Sequence, residues 1–179
     1  MRANPMTVRM IPSIFTLSNL LFGFLALIWV IEENYTLAST MILLSVLMDS
    51  LDGKVARRLS VSSDFGKELD SLSDLVSFGV APAILTYQAI LVPLQSDLAR
   101  IIGLGIAAAF VLCGAVRLAR FNMMNIKTHF VGVPITFAGG FMALLMLLRT
   151  MLPWYVYPVI MIMLAFLMVS TFKVSKMGK

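Results

Sequence analysis

Asp49 and Asp52, three residues apart, and Asp70 and Asp74, four apart, are the residues of this chain best placed by type and spacing to do chemistry. Each spacing sets a pair of carboxylates on one face of a helix. Six of the nine acidic residues fall in the 26-residue window from Asp49 to Asp74. Long apolar runs flank this window, and an aspartate facing lipid at a helix centre costs about 2.5 to 3.5 kcal/mol. Four of them must therefore face one another, a cation or a water-filled cavity. Converging like charges repel unless a divalent metal neutralises them. An all-oxygen donor set without thiolate or histidine suits Mg²⁺, Mn²⁺ or Ca²⁺. Two other readings are weighed: ion pairing with Lys54, Arg57, Arg58 and Lys67 in a solvated loop, and a cation pathway. Two pairs at helical spacing exceed what a charged loop needs, and carboxylates gathered at one end do not line a path through the bilayer.

The elements that must carry these residues are membrane helices. The chain has 179 residues, 60% hydrophobic and 13% charged, with mean hydropathy +0.95. A soluble domain is roughly 25% charged, so a water-soluble globule, a fibrous repeat and disorder are excluded. A span takes about 20 apolar residues, and six apolar runs are visible. They are Ile11–Ile31, opened by Pro12 and Ser13; about Leu37–Met48, continuing into the charged segment; a run from near Leu69 through Val76–Val92; Leu98–Leu118; about Val133–Leu148; and about Trp154–Phe172. The expectation is an all-α polytopic membrane protein of six transmembrane helices, forming one domain over residues 1–179. Trp154, Tyr155 and Tyr157 sit where an aromatic belt belongs. The first run is too long for a signal peptide and reads as a retained helix.

With six spans, twelve of the fourteen Lys and Arg residues fall on one side, and only Arg100 and Arg149 on the other. The positive-inside rule then puts both termini and the aspartates on the cytoplasmic face of the cell membrane. The charge of +5 is scattered between apolar runs and forms no stripe, so nucleic acid is not an expected partner. Cys113, alone in an apolar run, reads as small-residue packing. Gly139 and Gly140 read as a site of close helix approach. His129, the only histidine, has no expected catalytic role.

Written out, the window is Asp49-x2-Asp52-Gly53-x2-Ala56-Arg57-x8-Gly66-x3-Asp70-x3-Asp74. It resembles, at every position and gap, the signature of the CDP-alcohol phosphotransferases, integral membrane enzymes of phospholipid synthesis. The runs Ile11–Leu20, Arg117–Asn122 and Phe130–Pro134 are similar to the phosphatidylserine synthase branch, with Ser13 standing where that branch more often has Asn. The resemblance implies transfer of a phosphatidyl group from CDP-diacylglycerol, or an ether-lipid analogue, to L-serine, releasing CMP, and a homodimer among membrane lipids. It implies a two-metal site on Asp49, Asp52, Asp70 and Asp74, with Asp74 as the base for the serine hydroxyl. It also assigns Ala56 and Arg57 to cytidine binding and Gly66 to contact with the base.

Gly53, lacking a side chain, allows close approach of a nucleotide phosphate, or simply makes a turn. Arg57 can equally be a topology charge. Arg117 and Arg120, three apart, suit the serine carboxylate or a lipid phosphate, or mark the interface. Asn122 and Asn19 are further candidates for acceptor or lipid phosphate, with local capping as the alternative. Acceptors such as glycerol phosphate or inositol phosphate would call for more basic residues than Arg117, Arg120 and Lys127. The rival of another class is a divalent cation transporter.

Overall fold

The computed structural model describes the backbone of residues 5–59, 64–123, 130–170 and 173–174, and the side chains of 14–55, 64–123 and 132–170. Helix α1 runs Pro5–Ile31 and α2 runs Tyr35–Leu59. The third rod is composite: α3 (Asp64–Asp74), a π-helical segment Leu75–Val80, α4 (Ala81–Thr86), a second π segment Tyr87–Leu91 and a closing 3₁₀ turn Val92–Leu94. Then come α5 (Asp97–Met123), α6 (Ile135–Leu147) and α7 (Val156–Val169). Segments Ile14–Ile31, Tyr35–Val55, Asp64–Leu94 and Asp97–Met123 are long and apolar enough to cross a bilayer.

The six apolar runs thus become six rods in the expected order, with two differences. The last two are shorter than the expected spans, at 13 and 14 residues, or about 20 Å each. Pro134 delimits the start of α6, and the turn through Pro153 separates α6 from α7. And α1 starts at Pro5, not at Pro12. Pro12 deletes only its own N–H bond to the carbonyl of Val8 and does not end the helix.

Among the described residues the chain is all-helical as expected, apart from one two-residue pairing. Phe130–Val131 (β1) and Lys173–Val174 (β2) pair antiparallel, Phe130 opposite Val174 and Val131 opposite Lys173. Gly132 makes this junction possible. Its φ is +74°, and a Cβ there would lie 2.6 Å from the Met168 carbonyl oxygen and 2.9 Å from that of Leu167. The neighbouring Val133 N–H donates to the Leu167 oxygen at 3.2 Å, so the chain entering α6 is tied to the end of α7.

Packing follows the small residues. The helix α1 lies against α2, α5 against α7, and α2 against α6. A Cβ on Gly23 would collide with Ser77, and one on Gly139 with the backbone of Phe78. The expected close approach at Gly139 therefore exists, and its partner is the first π segment. Gly140 faces Val46 on α2. The core between the rods includes Ile42, Phe78, Leu85, Phe110, Met142 and Met161, while α1 and α5 present Leu17, Leu21, Ile101 and Leu112 outward, as lipid-facing helices do. Cys113 is a free thiol packed at the edge of this core. The aromatic belt needs one correction: Trp154 and Tyr155 are 51% and 55% exposed, but Tyr157 is fully buried, because the first turn of α7 rotates it inward.

Candidate active site

Helix α2 continues ten residues beyond Asp49, so Asp49 and Asp52 sit on a continuous helical face. Helix α3 delivers Asp70 and Asp74, and the π segment begins immediately after Asp74. A π turn inserts a residue into the helical register and commonly marks functional positions. Carboxylate oxygens of Asp49, Asp70 and Asp74 all lie within 4.8 Å of one another. Asp74 is buried, and Asp49 and Asp70 are half-buried. Asp70 Oδ1 is buried and accepts no hydrogen bond among the described residues.

Asp52 stands differently. It is buried on the same α2 face, but its Oδ2 accepts a 2.8 Å hydrogen bond from the Thr16 hydroxyl of α1. Of the four expected metal ligands, three converge, and the fourth is adjacent, close enough for its charge to act on the others.

Helix α1 also supplies Asn19, which is fully buried. Its Nδ2 donates to Asp74 Oδ1 at 3.1 Å. Its backbone carbonyl accepts from two hydroxyls, Ser45 at 3.1 Å and Ser77 at 3.0 Å. Asn19 is thus clamped from α2 and from the π segment, and in turn holds one oxygen of Asp74. From α6, Thr136 is directed at Asp49.

The arginines of α5 divide. Arg117 is half-buried, its Nε has no partner among the described residues, and its charge reaches Asp74. Arg120 Nη1 donates to the Val169 carbonyl at 3.0 Å, which ties α5 to the end of α7. Asn122 Nδ2 contacts Ser71 Oγ at 3.0 Å and Glu68 Oε1 at 3.4 Å, linking α5 to α3. Gly53 and Gly66 are half-buried at the ends of α2 and α3 that border residues 60–63. The side chains of Ala56 and Arg57, and all of Lys127 and His129, lie outside the described residues.

Among the described residues neither Lys54 nor Lys67 pairs with Asp49, Asp52, Asp70 or Asp74, and the ion pair there is Lys67 with Asp64, at 2.9 Å; the side chains of Arg57 and Arg58 lie outside the described residues. Three mutually facing carboxylates, one with an orphaned buried oxygen, fit a hard divalent cation by donor chemistry and by charge. Sequence reasoning misses Thr16, Ser45, Ser77 and Thr136. The signal for the first was present: Thr16, Asn19 and Gly23, at spacings of three and four, mark one polar and small face inside an otherwise apolar helix.

Known proteins match this chain in sequence over most of its length. A CDP-diacylglycerol–serine O-phosphatidyltransferase of Methanocaldococcus jannaschii is 41% identical over 161 residues, covering 90% of this chain and 71% of that protein. The protein of the same name from Helicobacter pylori strain J99 is 37% identical over 76% of this chain and 57% of its own. An archaetidylserine synthase of Methanothermobacter thermautotrophicus is 41% identical over 72% and 54%. The chain therefore spans between about half and seven tenths of these relatives. The model of the CDP-alcohol phosphatidyltransferase family matches residues 9–172, which include every aspartate of the cluster and every helix that supports it: the chain belongs to that family.

Proposed function

We propose that this multi-pass membrane protein transfers a phosphatidyl group from CDP-diacylglycerol, or the ether-lipid analogue, to the hydroxyl of L-serine, giving phosphatidylserine and CMP. The observation that carries the reading is the convergence of Asp49, Asp70 and Asp74 within a complete family signature. Asp49, Asp52, Asp70 and Asp74 would hold two divalent cations, Mg²⁺ or Mn²⁺, which when bound neutralise the diphosphate charge and stabilise CMP as leaving group. Asp74 takes the proton of the serine hydroxyl as its oxygen attacks the lipid-bearing phosphorus and the bond to CMP breaks. Asn19 fixes the Asp74 oxygen that it binds, leaving the other free for that proton. A carboxylate is a weak base for an alcohol, so positioning must supply much of the rate.

Gly53 lets the nucleotide phosphates approach α2, and Ala56, Arg57 and Gly66 bind the cytidine. Arg117, whose Nε has no partner among the described residues and whose charge reaches Asp74, is the group for the serine carboxylate or the lipid phosphate, and a fork of donors suits either. Arg120, Asn122 and Asn19 keep secondary places there: each already has a protein partner, so they shape the acceptor pocket more than they bind in it. In this reading residues 1–179 form one unit, a homodimer in the cell membrane, with the site open to the cytoplasm.

The test is CMP release by the purified protein from CDP-diacylglycerol with a panel of acceptors. Release should require L-serine and a divalent metal, and Asp74→Asn should abolish it while CDP-lipid binding persists. Release with glycerol phosphate or inositol phosphate instead would keep the family and change the acceptor. No release, with metal flux in liposomes, would favour the transporter. Near-normal turnover in Asp74→Asn would remove the base assignment.

A further inference from the structure

At the end of the bundle opposite the aspartates, a second set of polar groups lies outside the chemistry above. Tyr35 opens α2, Arg149 follows α6, and Tyr157 lies in the first turn of α7. Fourteen residues of α2 separate Tyr35 from Asp49, about 21 Å along the helix.

The Arg149 guanidinium carbon lies over the Tyr35 ring, 5.2 Å from the centroid. A cation over an aromatic face is held by the ring's charge distribution, an attraction that consumes no N–H acceptor. Nη1 is buried and finds no acceptor among the described residues, and no carboxylate among them lies within ion-pair distance. Glu33, near enough to Tyr35 for its charge to act there, does not pair with Arg149. Tyr157 is fully buried, and its hydroxyl also has no partner among the described residues. The Arg149 charge reaches both phenols. The N-terminus of α7 adds the positive end of a 14-residue helix, although its first N–H, of Val156, is already taken by the Pro153 carbonyl at 3.1 Å.

An unpaired guanidinium N–H and an unpaired phenol O–H are both donors, with no acceptor among the described residues to complete them. A buried donor left unsatisfied is unfavourable, and a group that satisfies both, beside the positive end of α7, is an anion with several oxygens. We propose that Arg149, Tyr157 and the start of α7 form a binding site for one phosphate group, with Tyr35 as its aromatic wall. The phosphate can be that of an anionic lipid headgroup or free phosphate, and the site is separate from the aspartate centre.

The test is thermal unfolding of the full-length protein in neutral detergent, phosphate-free, followed by tryptophan fluorescence. The probes are dioleoylphosphatidylglycerol and inorganic phosphate. The wild type should gain thermal stability with the lipid, and Arg149→Gln should lose most of that gain. Tyr157→Phe guards against a variant that merely misfolds. Deleting a hydroxyl that lacks an internal partner should leave the unliganded melting temperature unchanged or raised, yet shrink the gain with lipid. A gain with inorganic phosphate that both variants lose supports the site with free phosphate as ligand. A gain confined to the lipid supports the site with the headgroup. Equal gains in wild type and both variants would overturn the proposal, as would a Tyr157→Phe protein that melts lower without ligand, since the hydroxyl would then have an internal partner.

Discussion

Asn19 illustrates how a residue's neighbours assign its work. From its type alone it is an amide that can bind a phosphate, an acceptor or its own backbone. In the fold its amide holds Asp74 at 3.1 Å while Ser45 and Ser77 pin its carbonyl, so it acts through the aspartate. Residues that orient a metal-binding or catalytic carboxylate typically contribute about 10 to 100-fold in metal affinity or activity. Asn19→Leu is therefore expected to raise the metal concentration for half-maximal CMP release by about that factor, with a melting temperature near wild type. An unchanged metal titration would show that Asp74 keeps its orientation without Asn19. Thr16 is the parallel case for Asp52: its hydroxyl turns one carboxylate of the signature aside from the other three, which four acids at helical spacing do not disclose.

At the scale of elements, the third rod is the one whose irregularity matters. A regular helix through residues 64–94 would carry a single register, whereas π segments at Leu75–Val80 and Tyr87–Leu91 shift it twice. The first shift directly follows Asp74, and Ser77 within it reaches the Asn19 carbonyl. Glycines let the neighbours come this close. At Gly139 an added Cβ would lie 2.5 Å from Phe78 Cα, and backbone cannot yield as a flexible side chain does. Forced overpacking of this kind costs typically about 1 to 3 kcal/mol, so Gly139→Val should lower the melting temperature and activity together. Gly105→Ala, where nothing stands within 4 Å, should cost neither. Equal behaviour of the two variants would refute the contact between α6 and the π segment.

For the whole molecule, the scarcity of charge is the organising fact. Twelve of fourteen cations lie on one side of the expected spans, and the aspartate cluster lies at that same end. The positive-inside rule then predicts a cytoplasmic site. In a Cys113→Ser background, an impermeant maleimide applied to intact cells should label Asp97→Cys, at the start of α5, and spare Lys67→Cys, on α3. The reverse pattern would invert the protein in the membrane.

Six apolar runs, their order, the cation asymmetry and the spacing of Asp49, Asp52, Asp70 and Asp74 are local properties, and the sequence by itself determined them: hydropathy and helical periodicity act along one segment at a time. What only the tertiary structure decided depends on contacts between segments. Which three carboxylates meet, that Thr16 takes the fourth, that Arg117 faces Asp74 while Arg120 is spent on the Val169 carbonyl, and that Tyr157 points inward and not into the aromatic belt all follow from helix rotation and register. Those are set by small residues such as Gly23, Gly132 and Gly139 at the crossings, and the two π segments shift register without a sequence signal of their own.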